Sequence, residues 1–315
     1  MNNKSITCWK ILSHLERVFK ENRPITADIF LNNYCNNKCG YCTYGRWELD
    51  PDAHSMSYDD FVNYAYRLRE LGVKGFILTG GGEPTISKDF DKITNWLEDE
   101  HISYGINTNF NRYVEINPKY LKVSLDAWDE DSYEAKRGVR AYRTVIENIC
   151  EYAEYKTDAT RLGIQLLAKS AEEVDRFYEA NMNLPVDYIV IRPVESTDGE
   201  YYHKHPDTKS ITDKIDVIKK YDDRVIKNFK WNMLGMQFDS CIGQWSQIAL
   251  NEHGEVMYCC HKPYQTIGHI MDDDILEKKR LAHTDMSMCD VPCRLTSTNH
   301  ILSQVYSEQV NKEFI

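Results

Sequence analysis

Three cysteines stand close together early in the chain, in the run Tyr34-Cys35-Asn36-Asn37-Lys38-Cys39-Gly40-Tyr41-Cys42. This C-x3-C-x2-C spacing puts three thiols on one tight loop. Three thiolates can hold three irons of a [4Fe–4S] cube and leave the fourth iron open to a second molecule, and soft sulfur ligands suit such a cluster. A structural zinc site asks instead for four closed ligands in paired C-x2-C spacing. Zinc or free buried thiols are the bland alternative. A second reactive-looking turn is Thr79-Gly80-Gly81-Gly82-Glu83-Pro84. Its glycines let backbone approach a ligand closely, Glu83 offers a carboxylate to an ammonium, and Pro84 stiffens the exit.

Five more cysteines lie late in the chain: Cys241, Cys259, Cys260, Cys289 and Cys293. Asn251-Glu252-His253-Gly254 reads as a hairpin turn between strands Ile248-Ala249-Leu250 and Val256-Met257-Tyr258. The hairpin carries cysteine before and after it, and a C-terminal Cys289-x3-Cys293 pair closes the frame. Cys241, Cys259, Cys289 and Cys293 make a complete ligand set for a second cluster. A closed four-thiolate zinc site is the alternative, and His261 is a further polar neighbour. In an extended segment Cys260 points away from Cys259. Cys8 and Cys150 fall on apolar helical faces and are expected in the core.

The elements that must position these groups alternate. Apolar spacing from Trp9 to Phe19 predicts an amphipathic helix over 6–20. Strands are expected at Ile25–Leu31, Gly75–Thr79, Ser103–Thr108, Tyr120–Leu125, Leu162–Leu167 and Tyr188–Ile191. Helices are expected at Asp59–Leu71 with Ser57 as N-cap, Asp89–Glu98, Asp129–Tyr155 with a break near Gly138, Ala171–Asn181 and Ile211–Tyr221. Such alternation builds an α/β fold with a parallel sheet and helices outside it. Chemistry then gathers at the C-terminal ends of the strands, where the cysteine loop and the glycine turn both lie. Asp222–Phe229 reads as a linker. After about Arg224 the texture changes to a cysteine-rich module.

The three-then-two cysteine spacing, with the GGGEP turn about forty residues later, resembles the radical SAM enzymes. The resemblance implies a partial (βα)6 TIM-like barrel over 24–225, preceded by an N-terminal helix (1–23). It implies that the open iron binds the amino and carboxylate groups of S-adenosylmethionine (SAM), with Gly81, Gly82, Glu83 and Pro84 contacting the amino group. Asn107-Thr108-Asn109 and Ser124-Leu125-Asp126 end the third and fourth strands; Ser124, Asp126 and Asn109 are the expected SAM contacts. As plain chemistry the same residues are also turn formers and caps. Tyr41 matches the family aromatic beside the adenine. Arg192, after the sixth strand, could meet a carboxylate or phosphate, and Arg137-Gly138 resembles a recurrent family element. Residues 230–315 resemble the twitch domain, the shortened SPASM form, holding a second [4Fe–4S] cluster; the closing C-x3-C departs from the C-x2-C of some twitch enzymes. The implied chemistry is reductive cleavage of SAM to methionine and a 5′-deoxyadenosyl radical, fed by an electron donor of flavodoxin or ferredoxin type, and the cofactor carries the hard step.

The 315 residues suffice for one large domain and a small one. A net charge of −11 argues against nucleic acid or an anionic membrane as partner. No run approaches about 18 apolar residues, and the N-terminus lacks signal-peptide features. Clustered cysteines without a secretion signal point to a reducing compartment, the cytoplasm. Three functions remain. The first is a radical enzyme on a sugar, cyclitol or similar polyol, dehydrogenating or epimerising a carbinol, with Cys260 returning hydrogen in an epimerase. The second is a peptide-modifying maturase, disfavoured because only about 24 residues precede the first strand. The third is a non-catalytic Fe–S or zinc protein.

Overall fold

Apolar residues at every second position make strands with two different faces, and that difference organises the molecule. The computed structural model describes residues 8–42, 44, 53–194, 207–234, 236, 238–286, 289, 293 and 295–306. Seven strands run parallel: β1 (Thr26–Ile29), β2 (Gly75–Leu78), β3 (Tyr104–Thr108), β4 (Tyr120–Ser124), β5 (Arg161–Ala168), β6 (Tyr188–Pro193) and β7 (Val225–Lys227). Three more, β8 (Gln247–Leu250), β9 (Glu255–Met257) and β10 (Thr266–His269), extend the sheet from the other side of β1. The order is β10-β9-β8-β1-β2-β3-β4-β5-β6-β7, an open sheet. The expected hairpin is present: β8 and β9 are antiparallel, and the Asn251 N–H donates to the Glu255 carbonyl at 3.0 Å. It does not stand apart from the barrel, because β8 pairs in parallel with β1, Thr26 opposite Gln247.

The helices are α1 (Leu15–Phe19), α2 (Tyr58–Glu70), α3 (Phe90–Asp99), α4 (Glu130–Arg137), α5 (Tyr142–Tyr155), α6 (Ala171–Asn181), α7 (Thr208–Ile218), α8 (Ile275–Leu281) and α9 (Thr296–Tyr306). Ser57 caps α2 as expected, its hydroxyl accepting the Asp60 N–H at 3.1 Å. The long helical stretch breaks at Gly138, whose φ of +74° ends α4. The N-terminal helix is shorter than expected: Cys8–His14 is a 3-10 turn, and the Ile6 and Thr7 portion lies outside the described residues. The segment expected as a linker instead supplies β7. Its three residues are too few to show a period, yet the ladder with β6 satisfies their backbone groups.

Ala27, Ile29 and Leu31, with Leu78, Ile106, Val123, Ile164 and Ile191, face the helices and join Phe61, Leu68, Ile93, Ile149 and Phe177 in one core. Each fully buried Val, Leu, Ile or Phe among them contributes about 1.5–3 kcal/mol. The opposite, helix-free face carries a separate cluster of Phe30, Ala249, Met257 and Cys260. Strand alternation thus sets one face of the sheet apart from the core on the other.

Candidate functional site

The chain leaves β1 and enters the cysteine loop directly, and three neighbouring segments pin that loop. The first is the glycine turn after β2. A Cβ on Gly82 would collide with the Tyr34 carbonyl and the Asn32 side chain, so only glycine lets the two segments touch. The Glu83 N–H then donates to the Tyr34 carbonyl at 2.9 Å. The second is the end of β3. Glu83 is buried, with Oε1 accepting from the Thr85 N–H (3.1 Å), Thr85 Oγ1 (2.8 Å) and Thr108 Oγ1 (2.6 Å), and Oε2 from the Asn109 N–H (2.7 Å). Burial pushes its carboxyl upward while these four donors pull it back. Asn109 reaches on to Asn36 Oδ1 (2.6 Å) and Cys35 Sγ (3.8 Å). Pro84 opens a short 3-10 turn capped by Glu83, and Gly81 packs beneath the Asn32 carbonyl.

The third segment is the C-terminus of α4. Lys38 donates its N–H to the Arg137 carbonyl at 2.7 Å, and a Cβ on Gly138 would sit 2.6 Å from Lys38 Cβ. The buried Arg137 guanidinium forks among the Ser124 carbonyl, the Asp126 carboxylate and Cys39 Sγ, the last at 3.4 Å. Asp126 is fully buried at φ +55° and also accepts from Tyr41 Oη (2.9 Å) and the Leu167 N–H (2.6 Å). The Tyr41 ring lies 5.7 Å from the Arg137 guanidinium and 6.0 Å from the Lys169 ammonium. Arg192 donates to Gln165 Oε1 at 2.8 Å, both residues alternating with the core residues Ile164, Leu166 and Ile191 of their strands.

Tyr41, Glu83, Asn109, Ser124 and Asp126 are therefore gathered about the cysteine loop, though not all are displayed, whereas Arg192 meets Gln165. Asp126 and Glu83 spend their oxygens on the protein itself and hold the loop in place; Ser124 contributes its carbonyl to Arg137. Arg137, whose role the sequence leaves open, ties Cys39 to β4. A further network also went unforeseen: Asn111 donates to Asn37 Oδ1 at 2.6 Å, and Tyr133 Oη donates to Asn111 Oδ1 at 2.8 Å. The asparagine-rich run Asn107-Thr108-Asn109-Phe110-Asn111 was its signal. Burial, with Glu83 adding, pushes the Cys35 thiol up to about 12, and the Asn37 N–H at 3.4 Å works against it. Burial raises Cys39 too, against the pull of Arg137. Donors aimed at sulfur are what thiolate ligands of an iron cluster require, so the loop fits such a group.

In the C-terminal part, Cys241, Cys259, Cys289 and Cys293 line one cavity of about 470 Å³, with Tyr258 and His261. Cys260 does not line it and lies in the Phe30 cluster, so neighbouring thiols do point to opposite sides. Burial raises Cys241 to about 12 and Cys259 to about 11. Lys279 is buried beside them; burial pulls its ammonium down to about 8, and charge on Cys259 and Cys241 opposes that. Among the described residues, no three Cys, His, Asp or Glu side chains converge on one ion point. Cys150 is exposed on α5, against expectation: α5 buries Val145, Asn148, Ile149 and Tyr152, and residue 150 falls off that stripe. The Cys8 side chain lies outside the described residues. Among those residues no helix is long and apolar enough to cross a membrane.

Comparison with known proteins agrees with this geometry. The Radical SAM superfamily profile matches residues 29–180. A GTP 3′,8-cyclase of Psychromonas ingrahamii is 22% identical over 209 residues, covering 62% of this chain and 59% of the relative. A probable GTP 3′,8-cyclase of Saccharolobus solfataricus is 27% identical over 201 residues, 60% of this chain and 64% of the relative. The chain thus spans under two thirds of the length of these relatives. Streptococcus suis SuiB bound to precursor peptide SuiA shares the fold at a TM-score of 0.63, with 17% identity, covering 86% of this chain and 67% of SuiB. The loop after β1, the strand-end turns that pin it and the profile match together make residues 29–180 a radical SAM superfamily domain.

Proposed function

We propose that the protein is a radical SAM enzyme acting on a polar small molecule of sugar or cyclitol type, and that it inverts a carbinol carbon. Cys35, Cys39 and Cys42 would hold a [4Fe–4S] cluster whose open iron takes SAM. When bound, these groups supply a 5′-deoxyadenosyl radical that abstracts a substrate hydrogen. The chain's own part is positional. Glu83 and Asn109 fix the turn beside Cys35, Arg137 and Asp126 fix Cys39 and Tyr41, and Gly81 and Gly82 let the turn close on Asn32 and Tyr34, with Pro84 opening the 3-10 turn beyond, so that this stretch of backbone is set beside the ligand. Ser124 and Arg192 stand at the ends of their strands as further contacts. Cys241, Cys259, Cys289 and Cys293 would hold a second cluster, supported by their sharing one cavity.

The observation that carries the inversion reading is the segregation of Cys260 from Cys259. Cys260 packs with Phe30, whose ring fills the space against Gly80 and Gly81 of the SAM turn. A hydrogen atom from its S–H would add to the substrate radical on the face opposite abstraction. The resulting thiyl takes one electron and one proton, the electron coming from an external flavodoxin- or ferredoxin-type donor, and the thiol is restored. The relatives named GTP 3′,8-cyclase support a small molecule that carries a sugar. The likeness to SuiB is one of fold, and a peptide substrate is an outcome of the test.

Reconstituted anaerobically, the protein should hold about eight irons, and about four when Cys35, Cys39 and Cys42 are all Ala. With candidate polyols in heavy water, the product should carry one solvent deuterium at the inverted carbon. Cys260→Ala should keep its iron and cleave SAM yet give no inverted product. A ketone product without deuterium would replace inversion by dehydrogenation. Turnover of peptides alone would replace the substrate class.

A further inference from the structure

A buried ammonium needs a counter-charge. Lys279 on α8 is 3% exposed, and its Nζ donates to Gln244 Oε1 at 2.6 Å and approaches the Tyr258 carbonyl at 3.5 Å. Gln244 in turn donates to the Lys279 carbonyl at 3.0 Å, which fixes both side chains. Among the described residues no carboxylate forms an ion pair with Lys279, whereas Lys278 beside it pairs with both Asp272 and Asp274. Gln244 belongs to the 3-10 turn that Cys241 caps, and Tyr258 precedes Cys259. The ammonium is therefore held from both sides by the segments that carry two of the cavity's four cysteines. Isolated charge in a protein interior is costly unless paired. The anionic partners these two segments can bring to it are the thiolates that Cys241 and Cys259 would carry when they hold a cluster.

We infer that Lys279 is a positioning residue for the second cysteine site, a fixed positive charge that compensates its thiolates and raises the reduction potential of the cluster they hold. The inference rests on the second-cluster reading above. A positive charge close by favours the more negative, reduced state of a cluster, and net charge and hydrogen bonding are levers on such potentials.

The test uses the full-length chain with Cys35, Cys39 and Cys42 changed to Ala, so that any remaining cluster signal comes from the C-terminal site. Potentials are read by titration followed by electron paramagnetic resonance, with and without Lys279→Met and Lys279→Arg. Lys279→Met should retain iron but lower the reduced-to-oxidised ratio about tenfold at a fixed solution potential, equivalent to about 59 mV for one electron. Lys279→Arg should restore most of that loss, which a merely structural lysine would not require. If Lys279→Met does not fold, Lys279→Gln deletes the charge while keeping a polar tip beside Gln244 and carries the same test. A cluster whose potential is the same with Lys, Met, Gln and Arg overturns the inference. Absence of any cluster in the triple-Ala background overturns the second-cluster reading itself, a separate and recognisable result.

Discussion

Replacing Arg137 by Met should expose what holds the cysteine loop. The side chains of the Arg137–Asp126 pair are 8% and 0% exposed, so solvent screens it little. Removing one member of a buried pair costs about 3–5 kcal/mol, because the other charge is left uncompensated. Asp126 would keep the Tyr41 hydroxyl and the Leu167 N–H, which places the expected cost near the lower end, about 3 kcal/mol. Asp126→Asn is the matched change, since asparagine tolerates the left-handed backbone at that position. It should cost about 2–3 kcal/mol by stranding the guanidinium. The double variant strands neither charge, so its cost should fall short of additivity by about 2 kcal/mol, inside the range seen for contacting residues. The assay is urea unfolding of cluster-free protein, where midpoints shift at constant m. Should Arg137→Met alone be unfolded, recovery of a folded state on adding Asp126→Asn would make the same point. Additivity within about 0.5 kcal/mol, or a single-variant cost below about 1 kcal/mol, would refute the reasoning.

Gly82→Ala should force the turn away from Tyr34 at about 1–3 kcal/mol, read by calorimetry as about a five- to 150-fold loss of SAM affinity; unchanged affinity would remove Gly82 from the site. Native protein treated with a thiol alkylator should be labelled at exposed Cys150 well before Cys260, which is 4% exposed, and peptide mapping that finds the reverse order would contradict the packing. The Arg224 hydrogen bonds, with its charge, hold the Asp222 carboxyl below its ordinary 3.8. A depressed folded value adds stability above the unfolded value and loses it as pH falls through the folded one. The stability gap between wild type and Asp222→Asn should therefore narrow below about pH 4 in acid unfolding curves, and a gap that widens there would reverse the sign.

Local features read well from sequence and distant ones did not. The cysteine loop, the glycine turn and the hairpin around Gly254 are each written within a dozen residues; the opposite aims of Cys259 and Cys260 match what an extended segment would give, although the pair lies in the turn just past β9. The fork of Arg137 joins residues 39, 124 and 126, which only the sheet's register brings together, so its role was invisible. Glu83 and Asp126 were correctly placed at strand ends, but whether a carboxylate faces a ligand or its own loop depends on donors such as Thr108 and Leu167 that composition does not reveal. Cys150 was misplaced because one residue of helix rotation, about 100°, separates it from the buried Ile149.

The pairing of β1 with β8 has a consequence for biosynthesis. About 220 residues separate the partners Thr26 and Gln247. At ribosomal speeds of about 5–20 residues per second, the second arrives roughly 10–45 s after the first. Throughout that interval one flank of β1 is a bare ladder of amides, a template for wrong partners. The thiol loop that follows it is pinned by segments that end at Gly138, all made well before Gln247, so that loop is built while this flank of β1 is still open.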